Sequence, residues 1–184
     1  MLYVAAKNTL KKLGSLTSSS QVCYISSMSS SQMFRQLFDK ESSTYTYLLA
    51  DQDTKEAVLI DPVIEHSERD VKLVKEMGLT LKYVMNTHVH ADHITGTGRL
   101  KKLSPGCQSV LSEKSGGKAD YLIKEGSTVQ FGKQTLEVVE TPGHTAGCIT
   151  YIDRYFHVNV LFLSCDKTGF TALLSTVIHF QSEW

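Results

Sequence analysis

The chain carries no net charge, because nineteen Lys and Arg balance nineteen Asp and Glu over 184 residues. That balance leaves no field to recruit nucleic acid or an anionic membrane. It has no CxxC pair. Cys23, Cys107, Cys148 and Cys165 are scattered singly, which fits neither a zinc knuckle nor a disulfide-stapled scaffold and points to reduced thiols. No apolar run approaches the roughly 20 residues of a membrane helix; the longest, at 158–163, has strand length. What is present, 41% hydrophobic and 21% charged residues, is the composition of one globular domain.

A local absence is equally informative. Residues 1–32 contain no Asp or Glu, while Lys7, Lys11 and Lys12 alternate with Leu2, Val4, Leu10 and Leu13 ahead of a serine-rich stretch. Basic, amphipathic, serine-rich and acid-free is the composition of a mitochondrial leader. It is shared by a disordered tail, and the first arginine comes only at Arg35. The expected division is therefore a leader at 1–32 and one domain at 33–184.

Within the domain, YTYLLA at 45–50 and AVLI at 57–60 flank the polar turn DQDTKE and predict a hairpin. Ser67 and Asp70 form a capping-box pattern, and Val71, Val74 and Met77 recur at helical spacing until Gly78. LKYVM at 81–85 predicts a strand, 94–103 a helix stopped by Pro105-Gly106, and 107–111 another strand. A second hairpin pairs 128–131 with 134–140 around Gly132-Lys133. Strands follow at 148–152 and 158–163. Twice a strand empties into a loop histidine, the pattern of a layered α/β sandwich whose strand ends converge on one pocket.

The loop after the 81–85 strand reads NTHVHADHITGT and holds His88, His90, Asp92 and His93, three of the chain's seven histidines plus a carboxylate. Imidazole and carboxylate are the donors for borderline and hard divalent metals, so the cluster predicts a metal site. The later loop TPGHTAG presents His144 behind Pro142 and Gly143. One chemistry open to such a set is mononuclear iron held by two His and one carboxylate, with open positions for O₂ and a substrate atom. Another is a dinuclear hydrolytic centre that uses the whole cluster. Spacing does not choose between them.

The pattern His88-x-His90-x-Asp92-His93, followed by Gly143-His144-Thr145, resembles the metallo-β-lactamase superfamily. Together with AVLIDPV, LSPGCQSV and TPGHTAGCITY, it is similar to the mitochondrial persulfide dioxygenases of that superfamily from about 33 to 151. The resemblance implies an αββα sandwich and one Fe(II) per chain. It implies His88 and His144 as direct ligands, with His90, Asp92 and His93 orienting them through hydrogen bonds. It also implies oxidation of glutathione persulfide by O₂ to sulfite in hydrogen sulfide breakdown, residence in the mitochondrial matrix and a homodimer. The competing readings are a glyoxalase II-like thiolester hydrolase with two metals and a shortened product without activity.

The resemblance weakens after Tyr151, where the family's carboxylate ligand is due. Asp166, just past the 158–163 strand, occupies the expected place, whereas Asp153 lies too close behind the preceding strand. The tail 152–184 diverges, so the second half of the sandwich is expected to be incomplete. Asp61, at a strand end before Pro62, reads either as a partner that orients the histidines or as a turn former. Asn86 and Thr87 hydrogen-bond around the loop or merely shape it. His66 and His157 read as locally satisfied or exposed, and His179 as packed or exposed. Cys107 and Cys148 read as small core residues, and Gly96 and Gly98 as glycines that permit close helix packing.

Overall fold

β-Branched and aromatic runs at 45–50 and 57–60 do build the centre of the molecule. The computed structural model describes residues 31–91 and 93–153 and, as backbone, two short strands within 158–178. One sheet runs in spatial and chain order through β1 (Gln32–Asp39), β2 (Thr44–Asp51), β3 (Glu56–Ile60), β4 (Thr80–Met85), β5 (Gln108–Ser112) and β6 (Tyr121–Ile123). The first three strands are antiparallel, and β3 to β6 are parallel. A parallel step requires a crossover; α1 (Ser67–Glu76) and α2 (Thr97–Leu103) supply the first two. The second sheet is antiparallel, with β7 (Thr128–Phe131), β8 (Gln134–Glu140), β9 (Ile149–Asp153), β10 (Val158–Val160) and β11 (Val177–Ile178) as neighbours in turn.

Alternation along β3 decides the layers. Ala57, Val58, Leu59 and Ile60 are all fully buried. Val58 and Ile60 join Tyr47, Met85 and Val110 against Phe131, Leu136 and Tyr151 of the second sheet. Ala57 and Leu59 join Leu48 and Val84 against Val71 and Val74 of α1 and Leu100 of α2. Each fully buried Leu or Ile contributes on the order of 1.5–3 kcal/mol relative to exposure, so this doubly covered strand anchors both interfaces. The described residues thus supply helix, sheet and sheet of the expected sandwich.

At the end of the sandwich away from the histidine loops, the two hairpin turns lock together. Asp51 Oδ2 accepts from Lys133 N at 2.6 Å and Oδ1 from Asp53 N at 2.9 Å. Gly132, at φ +58°, sits so close that a Cβ there would meet Thr54 Oγ1 at 2.1 Å and Asp51 Oδ2 at 2.3 Å. Only glycine combines that backbone with that approach.

Three local expectations need correcting, and two strands went unannounced. The capping box does not form: Ser67 Oγ donates to Ile64 O at 2.8 Å, and Asp70 pairs with Arg69. A short 3-10 turn, Ile64–His66, feeds the helix and already supplies that carbonyl. The second helix starts at Thr97 rather than at residue 94, because Thr95 bridges to Val63 and Gly96 N donates to Pro62 O. Gly96 does allow close packing, since a Cβ would stand 3.0 Å from both Val63 O and Ser67 Oγ, whereas Gly98 has nothing within 4 Å. Finally, β1 and β6 are strands the sequence pattern did not announce.

Candidate metal centre

β4 carries the chain through Asn86 and Thr87 into His88, and the backbone there is tied from two sides. Asn86 N donates to Val110 O at 3.1 Å, extending the β4–β5 pairing. From the second sheet, Ile149 N donates to Thr87 O at 3.0 Å and Tyr151 Oη to Asn86 O at 3.1 Å. Tyr151 is fully buried, which pushes its phenol well above the usual value and keeps it a donor.

The second histidine loop is set by β8 and β9. Thr141 N donates to Cys148 O at 3.0 Å, closing the loop, and Thr145 N reaches Cys148 Sγ at 3.2 Å. Gly147 lies against the 3-10 turn Glu113–Ser115, where a Cβ would stand 2.5 Å from Ser115 Cα. Cys148 is buried, as its core reading expects, and so is Cys107, whose thiol burial pushes up to about 12.

These supports bring His88 and His144 together, edge to face, with ring centres 5.2 Å apart and planes at 84°. A metal about 2.1 Å from each coordinating nitrogen would lie roughly 3.2 Å from each ring centre, so two ligands at about 90–110° have ring centres about 4.5–5.2 Å apart. The pair fits that requirement. His90 packs on His88 at 4.0 Å with a 44° tilt, and His93 on His90 at 4.3 Å. A recess of about 130 Å³ opens beside His88 and His90, bordered by Thr95, Leu111 and Lys118.

Asp61 organises the cluster from beneath. It is 1% exposed and holds φ +50°, a conformation that Asp tolerates better than most residues. Its Oδ1 accepts from Thr87 N at 2.8 Å and stands 3.0 Å from His90 Nε2, with Asn86 Nδ2 farther off at 3.4 Å. Its Oδ2 accepts from Thr87 Oγ1 at 2.7 Å. Burial pushes this carboxyl up, but the charge and hydrogen bond of His90, the Thr87 amide and the His88 imidazole outweigh burial and hold it below the usual range. Asp61 thus accepts on both carboxyl oxygens, from the Thr87 amide and from the Thr87 hydroxyl.

That fixes protons around the loop. The Thr87 hydroxyl spends its one proton on Asp61, so the 2.8 Å contact between Thr87 Oγ1 and His88 Nδ1 has nitrogen as donor. Neutral His88 then keeps its lone pair on Nε2, the form a metal ligand needs. His90 meets the same carboxylate through Nε2, 3.0 Å from Asp61 Oδ1.

Asp92 and Asp166 lie outside the described residues, as do His157 and His179. Among the described residues no group of three or more His, Cys, Asp or Glu side chains is gathered as a complete metal site; the imidazole pair needs a third donor. Asp153 is not brought to the site. It ends β9, four residues beyond Ile149 and so about 13 Å along the strand from the histidine loop, where it accepts from Gln32 Nε2. His66 is satisfied locally, 3.0 Å from Asp39. The pattern of the sequence gave no sign of Tyr151, or of Thr44, whose Oγ1 lies 3.4 Å from His93 Nδ1.

Residues 39–158 match the metallo-β-lactamase superfamily. The chain is similar to the mitochondrial persulfide dioxygenase ETHE1 of Bos taurus, with 57% identity over 143 residues covering 75% of this chain and 56% of that protein. Similarity to the same-named human protein is 54% over 143 residues, with the same coverage. Among solved structures, ETHE1 from Myxococcus xanthus superposes with a TM-score of 0.64 at 47% identity, covering 66% of this chain and 53% of the other. The chain thus spans a little over half the length of the curated relatives it matches.

Proposed function

Since the chain belongs to the metallo-β-lactamase superfamily, we propose that it is a persulfide dioxygenase, an iron-dependent enzyme that oxidises glutathione persulfide to sulfite in mitochondrial sulfide breakdown. The observation that carries this reading is the edge-to-face pair of His88 and His144, formed inside residues 39–158, which match the superfamily, in a chain similar to persulfide dioxygenases.

His88, His144 and Asp166 would hold the iron. Ferrous iron bound there would supply the one-electron chemistry that lets O₂ react with a sulfur anion. The overall change balances as one persulfide, one O₂ and one water giving one thiol and one sulfurous acid. The S–S bond breaks, the outer sulfur loses four electrons to O₂, and the inner sulfur leaves with a proton. No protein nucleophile is required.

The chain's own residues orient and hold protons. Asp61 and Thr87 keep the His88 proton on Nδ1, and Asp61 meets His90 at Nε2. Val89 and Ile94 expose apolar side chains along the histidine loop, a surface suited to the weakly hydrated sulfur end of the substrate. Asp92 belongs to the same reading as a group that orients the ligands, alongside His93.

Residence in the mitochondrial matrix is supported by the acid-free, basic composition of residues 1–32 and by the mitochondrial names of the relatives. The reading takes 1–32 as the leader, 33–184 as the domain and a homodimer as the assembly. Metal analysis tests it: one iron per chain after anaerobic loading is expected, and two zinc-type ions per chain would overturn it in favour of a thiolester hydrolase.

A further inference from the structure

Gly147 follows His144 by three residues, and another segment passes where its side chain would stand. Its φ is not positive, so the left-handed region is not what calls for glycine there. A Cβ would lie 2.5 Å from Ser115 Cα, 2.6 Å from Ser115 N and 2.9 Å from Lys114 C. The obstacle is backbone, and only glycine admits so close an approach.

That turn, Glu113–Ser115, is pinned to its own strand. Ser112, the last residue of β5, accepts on Oγ from Lys114 N at 3.3 Å and on its carbonyl oxygen from Ser115 Oγ at 2.6 Å. Lys114 Nζ also reaches Glu140 Oε2 at 2.5 Å, at the end of the strand that leads to His144. The chain then bends at Gly116, where φ is +70°, and Gly117 N donates back to Ser115 Oγ at 3.3 Å. A Cβ on Gly117 would stand 3.4 Å from Val89 Cγ2, the neighbour of His88. Lys118 and Ala119 border the same recess as His88 and His90. Because Ser115 and Gly117 are at most about 7 Å apart, one short piece of chain meets both histidine loops, whose rings stand 5.2 Å from centre to centre.

We propose that residues 115–117 are a brace that sets the separation of His88 and His144, with Gly147 as the positioning residue through which it acts. This rests on the metal-centre reading of that pair. Ordinary carbon contacts lie at about 3.5–4.0 Å, so a methyl group at Gly147 parts the two segments by roughly 1 Å, about twice the tolerance of a built ligand set. The Ser112 hydrogen bonds hold the turn. The side that yields is therefore the His144 loop.

The test titrates the full chain with Zn(II) against a chromophoric chelator and records the visible absorption of the Co(II)-loaded chain, which reports ligand geometry. Gly147→Ala is expected to weaken Zn(II) binding about 10-fold or more and to change the Co(II) spectrum at saturating metal. Gly143→Ala, one residue before His144 with nothing within 4 Å of its Cβ and no positive φ, is expected to leave both as in the native chain. One glycine inserted between Ser115 and Gly116 lengthens the brace without adding a side chain. It is expected to act as Gly147→Ala does, which keeps the test decisive if that variant fails to fold. Native affinity and spectrum in the lengthened chain overturn the proposal. So does an equal loss in Gly143→Ala, or a Gly147→Ala chain that melts lower but binds metal unchanged. A native chain that binds neither ion overturns the brace and the metal centre together. A chain that binds metal in the expected order but consumes no O₂ keeps this inference and loses the proposed activity, and an active chain whose lengthened form binds metal unchanged does the reverse.

Discussion

Asp61 Oδ1 stands 3.0 Å from His90 Nε2, although 29 residues separate them in the chain. Because the same carboxylate takes the Thr87 hydroxyl proton on its other oxygen, one buried carboxylate orients two neighbouring imidazoles. Asp61→Asn keeps the size and tolerates the φ of +50°, but its amide group puts a donor where Thr87 already donates. The expected result is a metal dissociation constant raised about 10–100-fold, read by competition with a chromophoric chelator. An unchanged constant would remove Asp61 from the account.

Tyr151→Phe removes one hydroxyl and leaves the packing of a fully buried ring. The Asn86 carbonyl then loses a bond from the second sheet. A loss of about 0.5–1.5 kcal/mol is expected in denaturant unfolding, together with weaker metal binding, because this contact registers the His88 strand against the sheet that leads from His144. Loss of stability with metal affinity untouched would confine Tyr151 to a packing role.

Acid stability follows from Asp51. Burial pushes its carboxyl up, but the amides of Lys133 and Asp53 and both groups of Thr54 outweigh burial and lower it. A carboxylate that binds its proton more weakly when folded stabilises the fold above its unfolded value, near about 3.9, and that contribution is lost as pH falls below it. The melting temperature of the native chain should therefore drop between about pH 5 and pH 3. Asp51→Asn should start lower at neutral pH and fall less over that interval; parallel curves would contradict the assignment.

How much of this was legible in the sequence depended on how local each signal is. The β2–β3 hairpin, the strand feeding His88 and the β7–β8 hairpin came from runs of a few residues with their own turn chemistry, and Gly78 ended its helix at φ +65° as placed. The histidine cluster was visible because its members share one loop. By contrast, β1 reads QMFRQLFD, with apolar residues in pairs rather than alternating, and β6 is three residues at a sheet edge with Tyr121 and Leu122 exposed. The pairing of either strand is a tertiary fact. Asp61 looked equally like a turn former because its partners lie 25 to 29 positions away, and Thr44 reaches His93 across 49. Ser67 and Asp70 carried the letters of a capping box, yet the preceding 3-10 turn offered Ser67 a nearer acceptor.

The most direct test of the central claim is O₂ uptake by the iron-loaded full chain supplied with glutathione persulfide, followed with an oxygen electrode while sulfite is titrated. The account predicts one O₂ consumed for each sulfite formed, and loss of uptake in His144→Ala. Iron-loaded, folded protein that consumes no O₂ with this substrate would contradict it.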